Sequence, residues 1–173
     1  TTDFTPATGT IGEAGQIGAT TGGISFTATP TYKDYGEDID NCPKNMKELK
    51  RVDSWEAKIA GTFINADTKI AKSLCGAADV GTSDGKVTPR NDLSDADFAD
   101  IWLVGDYSDK NGDKNGGFIA IHLMNALSTG GFQLKTSDKA KGQFAFEYTA
   151  HYSMSAQDTV PFEIYIKAGS AEA

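Results

Sequence analysis

Over residues 142–152 apolar and polar side chains alternate. Phe144, Phe146, Tyr148, Ala150 and Tyr152 fall on one face of an extended strand, and Gln143, Glu147, Thr149 and His151 fall on the other. One greasy face and one polar face predict a sheet that packs on one side only. Trp55, Ala57, Ile59, Gly61 and Phe63 alternate in the same way with Glu56, Lys58, Ala60 and Thr62, predicting a second amphipathic strand that ends at Asn65. Over 160–167 the same rule turns Phe162, Ile164 and Ile166 inward and Glu163, Tyr165 and Lys167 outward. Residues 16–20 and 23–29 read as two strands joined by a turn at Thr21-Gly22-Gly23. Residues 101–105 and 118–125 read as hairpin partners. Ser128-Thr129-Gly130-Gly131 supplies a turn into a further strand at 132–135.

The period changes once. Over 67–78, Ile70, Leu74 and Cys75, with Ala71 and Ala78 alongside, line one side of a helix. Asn65 or Asp67 can cap it, and Gly76 ends or interrupts it. Residues 81–97 are dominated by Gly, Ser, Asp and Asn and read as irregular, with a short helical turn near 93–98. About seven to nine strands and one main helix predict a mainly β fold, a β-sandwich or barrel-like domain with one flanking α-helix.

A chain of 173 residues suits one domain with one core. The division expected is an N-terminal arm at 1–14, a single β-rich domain at 15–168 and a C-terminal tail at 169–173. The arm is rich in Thr, Gly and Ala, a composition for an edge rather than core, with Phe4 and Ile11 its large apolar groups. Inside the domain, 33–53 is polar, contains Pro43 and has no sustained period. A loop of about 20 residues is long for a mere connection. Its first half is acidic (Asp34, Glu37, Asp38, Asp40) and its second half basic (Lys44, Lys47, Lys50, Arg51). Two readings stand: a solvated surface loop, or an arm whose charge blocks dock on complementary neighbours.

The longest apolar runs, such as Phe118-Ile119-Ala120-Ile121, fall far below the ~20 residues that cross a bilayer. The N-terminal residues carry no basic, apolar leader pattern, so no signal peptide is expected. Cys42 and Cys75 have no CxxC spacing, and free thiols are expected rather than a disulfide. A net charge of −8 argues against wrapping nucleic acid, which needs clustered Lys and Arg.

The chain carries no reactive constellation. Asn111-Gly112-Asp113-Lys114-Asn115-Gly116 resembles the start of a calcium loop, but the twelfth place, where that loop needs Glu, holds His122; a hairpin turn is the better reading. His122 and His151 lie on predicted strands without Cys or carboxylates at ligand spacing, so no metal and no cofactor are expected. The acids Asp92, Asp95, Asp97 and Asp100 suit a solvated turn better than a general acid/base pair. Trp55 and Trp102 sit in apolar strand patterns and read as core. No enzyme is expected.

In order, the segments are IGATTGGISFTATP, the long polar loop, SWEAKIAGTFINADTKIAKSLCGAADV, WLVGDYSDKNGDKNGGFIAIHLMNALSTGGFQLKT, and QFAFEYTAHYSM followed by PFEIYIK. Over roughly residues 15–168 this order and texture resemble the tail tube (major tail) proteins of tailed bacteriophages and prophages of Gram-positive bacteria. The resemblance implies a tail tube fold whose subunits form stacked hexameric rings around a hollow bore through which DNA passes. It implies a virion location after synthesis in the host cytoplasm. The partners it implies are further copies of the chain, tail terminator and tail-tip or baseplate proteins, and, within the bore, the tape-measure protein and DNA; no membrane insertion is expected. The long loop matches the inter-ring loop of that family. The polar faces of 55–63 and 142–152, namely Glu56, Lys58, Thr62, Glu147, Thr149 and His151, become candidates for the lumen wall. An acidic bore would repel DNA and let it slide. The alternative is a monomeric β-sandwich binding module for carbohydrate or protein, using Trp55, Trp102 or Tyr107.

Overall fold

The computed structural model describes residues 4–7, 10–11, 17–107 and 117–168. Two short strands, β1 (Phe4–Thr5) and β2 (Thr10–Ile11), pair with each other. Two long ones follow, β3 (Thr20–Asp34) and β4 (Lys50–Phe63), and then the helix α1 (Thr68–Cys75). A small hairpin of β5 (Ala78–Val80) and β6 (Val87–Pro89) comes next. The remaining strands are β7 (Ala99–Tyr107), β8 (Gly117–Ser128), β9 (Gln133–Lys135), β10 (Gln143–Thr149) and β11 (Phe162–Lys167). The fold is mainly β with a single α-helix among the described residues.

Seven strands form one antiparallel sheet in the order β11-β8-β10-β4-β3, with β7 also on β8 and β9 also on β10. β8 pairs with β7 and β11 and then passes onto β10 at Leu127 and Ser128. The core forms where the β3-β4-β10 part faces the β7-β8-β11 part. Ala57, Ile59 and Phe63 meet Phe146, Tyr148, Ile101, Ile121 and Leu123 there. Phe162 closes one side, its ring 5.5 Å from that of Trp55 and 5.8 Å from that of Phe26.

An eight-residue helix is too short to persist alone, so α1 owes its stability to caps and packing. Asp67 caps its start by accepting from the Ile70 N–H at 2.7 Å. Gly76 ends it at φ 75°, a conformation that costs glycine little. Ile70 and Leu74 are buried, each contributing about 1.5–3 kcal/mol of apolar transfer. Ser128 Oγ donates to the Leu74 carbonyl at 2.9 Å, and Ser73 Oγ lies 2.8 Å from the Tyr148 hydroxyl, which fixes the helix against β8 and β10. Burial raises the pKa of that Tyr148 phenol.

Several expectations change. The strand read at 23–29 belongs to β3, which starts only at Thr20; Ile17, Gly18 and Ala19 are not strand, so Thr21-Gly22-Gly23 is no turn between two strands. Gly22 and Gly23 take positive φ and form a bulge between the pairs Thr21–Thr62 and Ser25–Ala60, so the chain kinks without reversing. The 33–53 loop is shorter than expected, because Lys33 and Asp34 belong to β3 and Lys50, Arg51, Val52 and Asp53 to β4. Residues 81–97 are less irregular than expected, because β6 within them pairs with β5 just before them, while the helical turn expected near 93–98 is present as a 3-10 turn at Asp95–Asp97. Ile164 and Ile166 are 48% and 62% exposed rather than inward, since only Phe162 on that face of β11 has a covering layer. Tyr165 is half-buried, its ring 5.6 Å from Trp102. Phe4, assigned to an arm, is 4% exposed and lies 5.0 Å from Trp102 and 5.6 Å from Phe118. Cys42 lies in the segment between β3 and β4, Cys75 ends α1, and both are free thiols. The calcium-like run 111–116 lies outside the described residues.

Candidate functional site

Strand register sorts the side chains into two faces. Phe144, Phe146 and Tyr148 stand across from Phe63, Gly61 and Ile59, and all belong to the core face. Ala145, Glu147 and Thr149 stand across from Thr62, Ala60 and Lys58 on the opposite face. On β3, Thr21, Ser25, Thr27 and Thr29 oppose Thr62, Ala60, Lys58 and Glu56 on that same face, and all four are exposed. The result is an open sheet surface paved with hydroxyl groups. Five of the six lumen-wall candidates, Glu56, Lys58, Thr62, Glu147 and Thr149, share it.

The charges on this surface are tied down. Lys58 Nζ lies 2.5 Å from Glu56 Oε1 and 4.0 Å from Glu147 Oε1. The hydrogen bond to Glu56 raises the lysine pKa, and the two carboxylates add attraction of the same sign. Two carboxylates against one ammonium leave the middle of the face with a slight negative excess. Among the described residues, lysines return at its margins, with Lys135 on β9 and Lys33 beside Arg51 near the outer end of β3.

Two candidates differ from expectation. Thr149 is buried to 9% exposure, because Thr129 covers it: their hydroxyls lie 2.8 Å apart, and Thr129 Oγ1 also donates to Glu147 at 2.9 Å. His151 is not on this face. β10 ends at Thr149, the chain crosses to β8 through the His151 N–H to the Met124 carbonyl, and the ring packs edge-on to Phe98. Tyr152, also read as part of the strand, is exposed, and its hydroxyl accepts from the Trp55 N–H at 2.9 Å.

The outer ends of β3 and β4 and the 35–49 tip form an arm. The tip is folded rather than slack. Asp34 accepts from the N–H groups of Gly36 and Asn45 at 2.9 and 2.8 Å, and these bonds lower its pKa. Asn41 and Asn45 supply left-handed positions. Part of each charge block is used inside the arm. Lys50 lies over the Tyr32 ring, Lys33 over Tyr35, Arg51 donates to the carbonyls of Glu48 and Lys50, and Lys47 pairs with Glu48. Glu37, Asp38, Asp40 and Lys44 are exposed. So are Tyr32, Tyr35, Ile39 and Val52, an apolar set that sequence reading passed over. The pairing of Tyr32 with Val52 follows a register shift, and the apolar pair was therefore invisible to simple alternation.

The aromatic groups of the binding-module reading have partners within the fold. Trp55 packs edge-on to Phe162, and Trp102 is enclosed by Phe4, His122 and Tyr165. The side chain of Tyr107 lies outside the described residues. Among the described residues no cluster of three or more His, Cys, Asp or Glu forms a metal site, and no helix is long and apolar enough to cross a membrane. No family model, curated protein or solved structure matches the chain.

Proposed function

We propose that this chain is the subunit of a phage tail tube, a structural virion protein that closes into hexameric rings and stacks them around a DNA channel. The observation that carries the reading is the hydroxyl-paved face of β3, β4 and β10, set in a sheet with open edges. β3 and β11 stand at opposite ends of the strand order, and each offers unpaired backbone to a neighbour. An exposed strand edge is an aggregation hazard in a monomer. A head-to-tail ring uses such edges and closes without leaving one free.

The face suits a bore. Its hydroxyls offer DNA no fixed charge, and Lys58 is held by Glu56 and Glu147. Six copies of a chain with net charge −8 place the duplex in a repulsive environment, where it slides instead of binding. The arm reaches beyond the sandwich with Tyr32, Val52 and Ile39 uncovered, which suits docking on the next ring. The occupied charges at Lys50, Lys33 and Arg51 leave apolar contact as the larger part of that docking.

Sedimentation velocity of the purified chain over a wide concentration range tests the proposal. Rings and their polymers are expected. A monomer at every concentration, with tail-tip proteins added as nucleus, would overturn it and favour a binding module.

A further inference from the structure

His122 sits in the middle of β8 at 9% exposure, with a carboxylate at each ring nitrogen. From β7, Asp100 Oδ2 approaches Nε2 at 3.3 Å; from β11, Glu163 Oε2 approaches Nδ1 at 3.6 Å. The ring lies flat on Trp102 of β7, with centroids 4.1 Å apart and planes 3° from parallel. Both carboxylates also accept from neutral donors: Asp100 from the Asn125 N–H at 3.0 Å, and Glu163 from the Tyr165 hydroxyl at 2.5 Å. Farther along the same face of β11, Lys167 stands across from Phe118, whose partner on β7 is Asp106.

A neutral imidazole has one N–H and one lone pair. Between two carboxylates it can donate to one, and its lone pair then confronts the other. The charged ring attracts both as an ion pair, although neither nitrogen makes an aligned hydrogen bond to its carboxylate, and its positive charge also lies against the indole face. We propose that His122 is a pH-operated staple that joins β7 to β11 across β8 when its ring is protonated. The strand it secures is the open-edged β11, with Ile164 and Ile166 exposed. This inference is independent of the tail tube reading.

The test compares the melting temperature of the full chain with that of His122→Gln from about pH 8 to about pH 5. The staple predicts a gap of several degrees in acid that closes as pH rises. Glu163→Gln, which keeps the ring but removes one carboxylate, is expected to lose part of the same gap. In parallel, ring resonances of a His151→Gln protein report His122 alone, since the chain has two histidines. Their titration is expected to coincide with the stability change and to move the Trp102 indole signal, and this readout stands even if His122→Gln fails to fold. A pH-independent gap, or a chain that loses stability relative to His122→Gln on acidification, would overturn the proposal, as would a His122 ring that stays neutral throughout.

Discussion

The ring of Phe146 lies over the backbone of Gly61, its register partner on the neighbouring strand, and occupies the space where a side chain at position 61 would stand. A Cβ at Gly61 would meet Phe146 Cζ at 2.6 Å and the Gly23 carbonyl oxygen at 3.3 Å. The ring cannot easily retreat, because it stacks on Phe63 at 4.3 Å within the core. Gly61→Ala is therefore expected to destabilise the chain by about 1–3 kcal/mol through overpacking, read from urea unfolding of the purified protein.

Asp97 should mark the acid limit of the fold. Its side chain is 1% exposed and grips Arg90 through two bonds of 2.6 and 2.8 Å, so the solvated turn expected for Asp92, Asp95, Asp97 and Asp100 holds an enclosed ion pair. The Ser94 N–H bond, the Arg90 guanidinium and the Ser94 hydroxyl together lower its pKa against the opposing effect of desolvation. A depressed carboxylate contributes stability above its unfolded pKa of about 3.9 and loses it as pH falls through the folded value. Asp97→Asn should thus melt below wild type at neutral pH, with the gap closing in strong acid. A gap that persists there would assign the loss to packing instead.

If the hydroxyl face lines a bore, adding cations to it should slow DNA without unfolding the subunit. Thr27→Lys and Thr29→Lys are exposed substitutions, each expected to change stability by no more than about 0.5 kcal/mol. Tubes built from the double variant should assemble and release DNA more slowly, with the delay shrinking as salt rises. Unchanged release would place the face elsewhere than the bore.

Arm docking separates by substitution. If the arm docks on a next ring, Val52→Asp, which puts a charge on an exposed apolar pair, should leave the subunit folded but block stacking. Reversing Lys44, Lys47 and Lys50 to Glu should weaken stacking less. The opposite order, measured by light scattering of polymerisation, would restore the charge blocks as the docking device.

Alternation made the strands of the sheet, the amphipathic faces of β4 and β10 and the helix around Ile70 and Leu74 legible in the sequence. It reports which residues share a face, not whether anything covers that face. Ile164 and Ile166 were misread for that reason, their face of β11 extending past the opposing layer. Gly22-Gly23 carries the same local signal for a bulge as for a turn, and only the partner strand decides between them. The three-residue strands β5 and β6 are too short to show a period. On the candidate face, Glu56, Lys58, Thr62 and Glu147 were readable from β4 and β10. The hydroxyls of Thr27 and Thr29 needed the register of β3, and the displacement of His151 needed the end of β10.

Electron cryomicroscopy of the purified, polymerised chain tests the central claim most directly. The account predicts a hollow tube of stacked six-membered rings, with Thr27, Thr29, Lys58 and Glu147 facing the channel. A solid or open assembly, or a tube that turns this face outward, would contradict it.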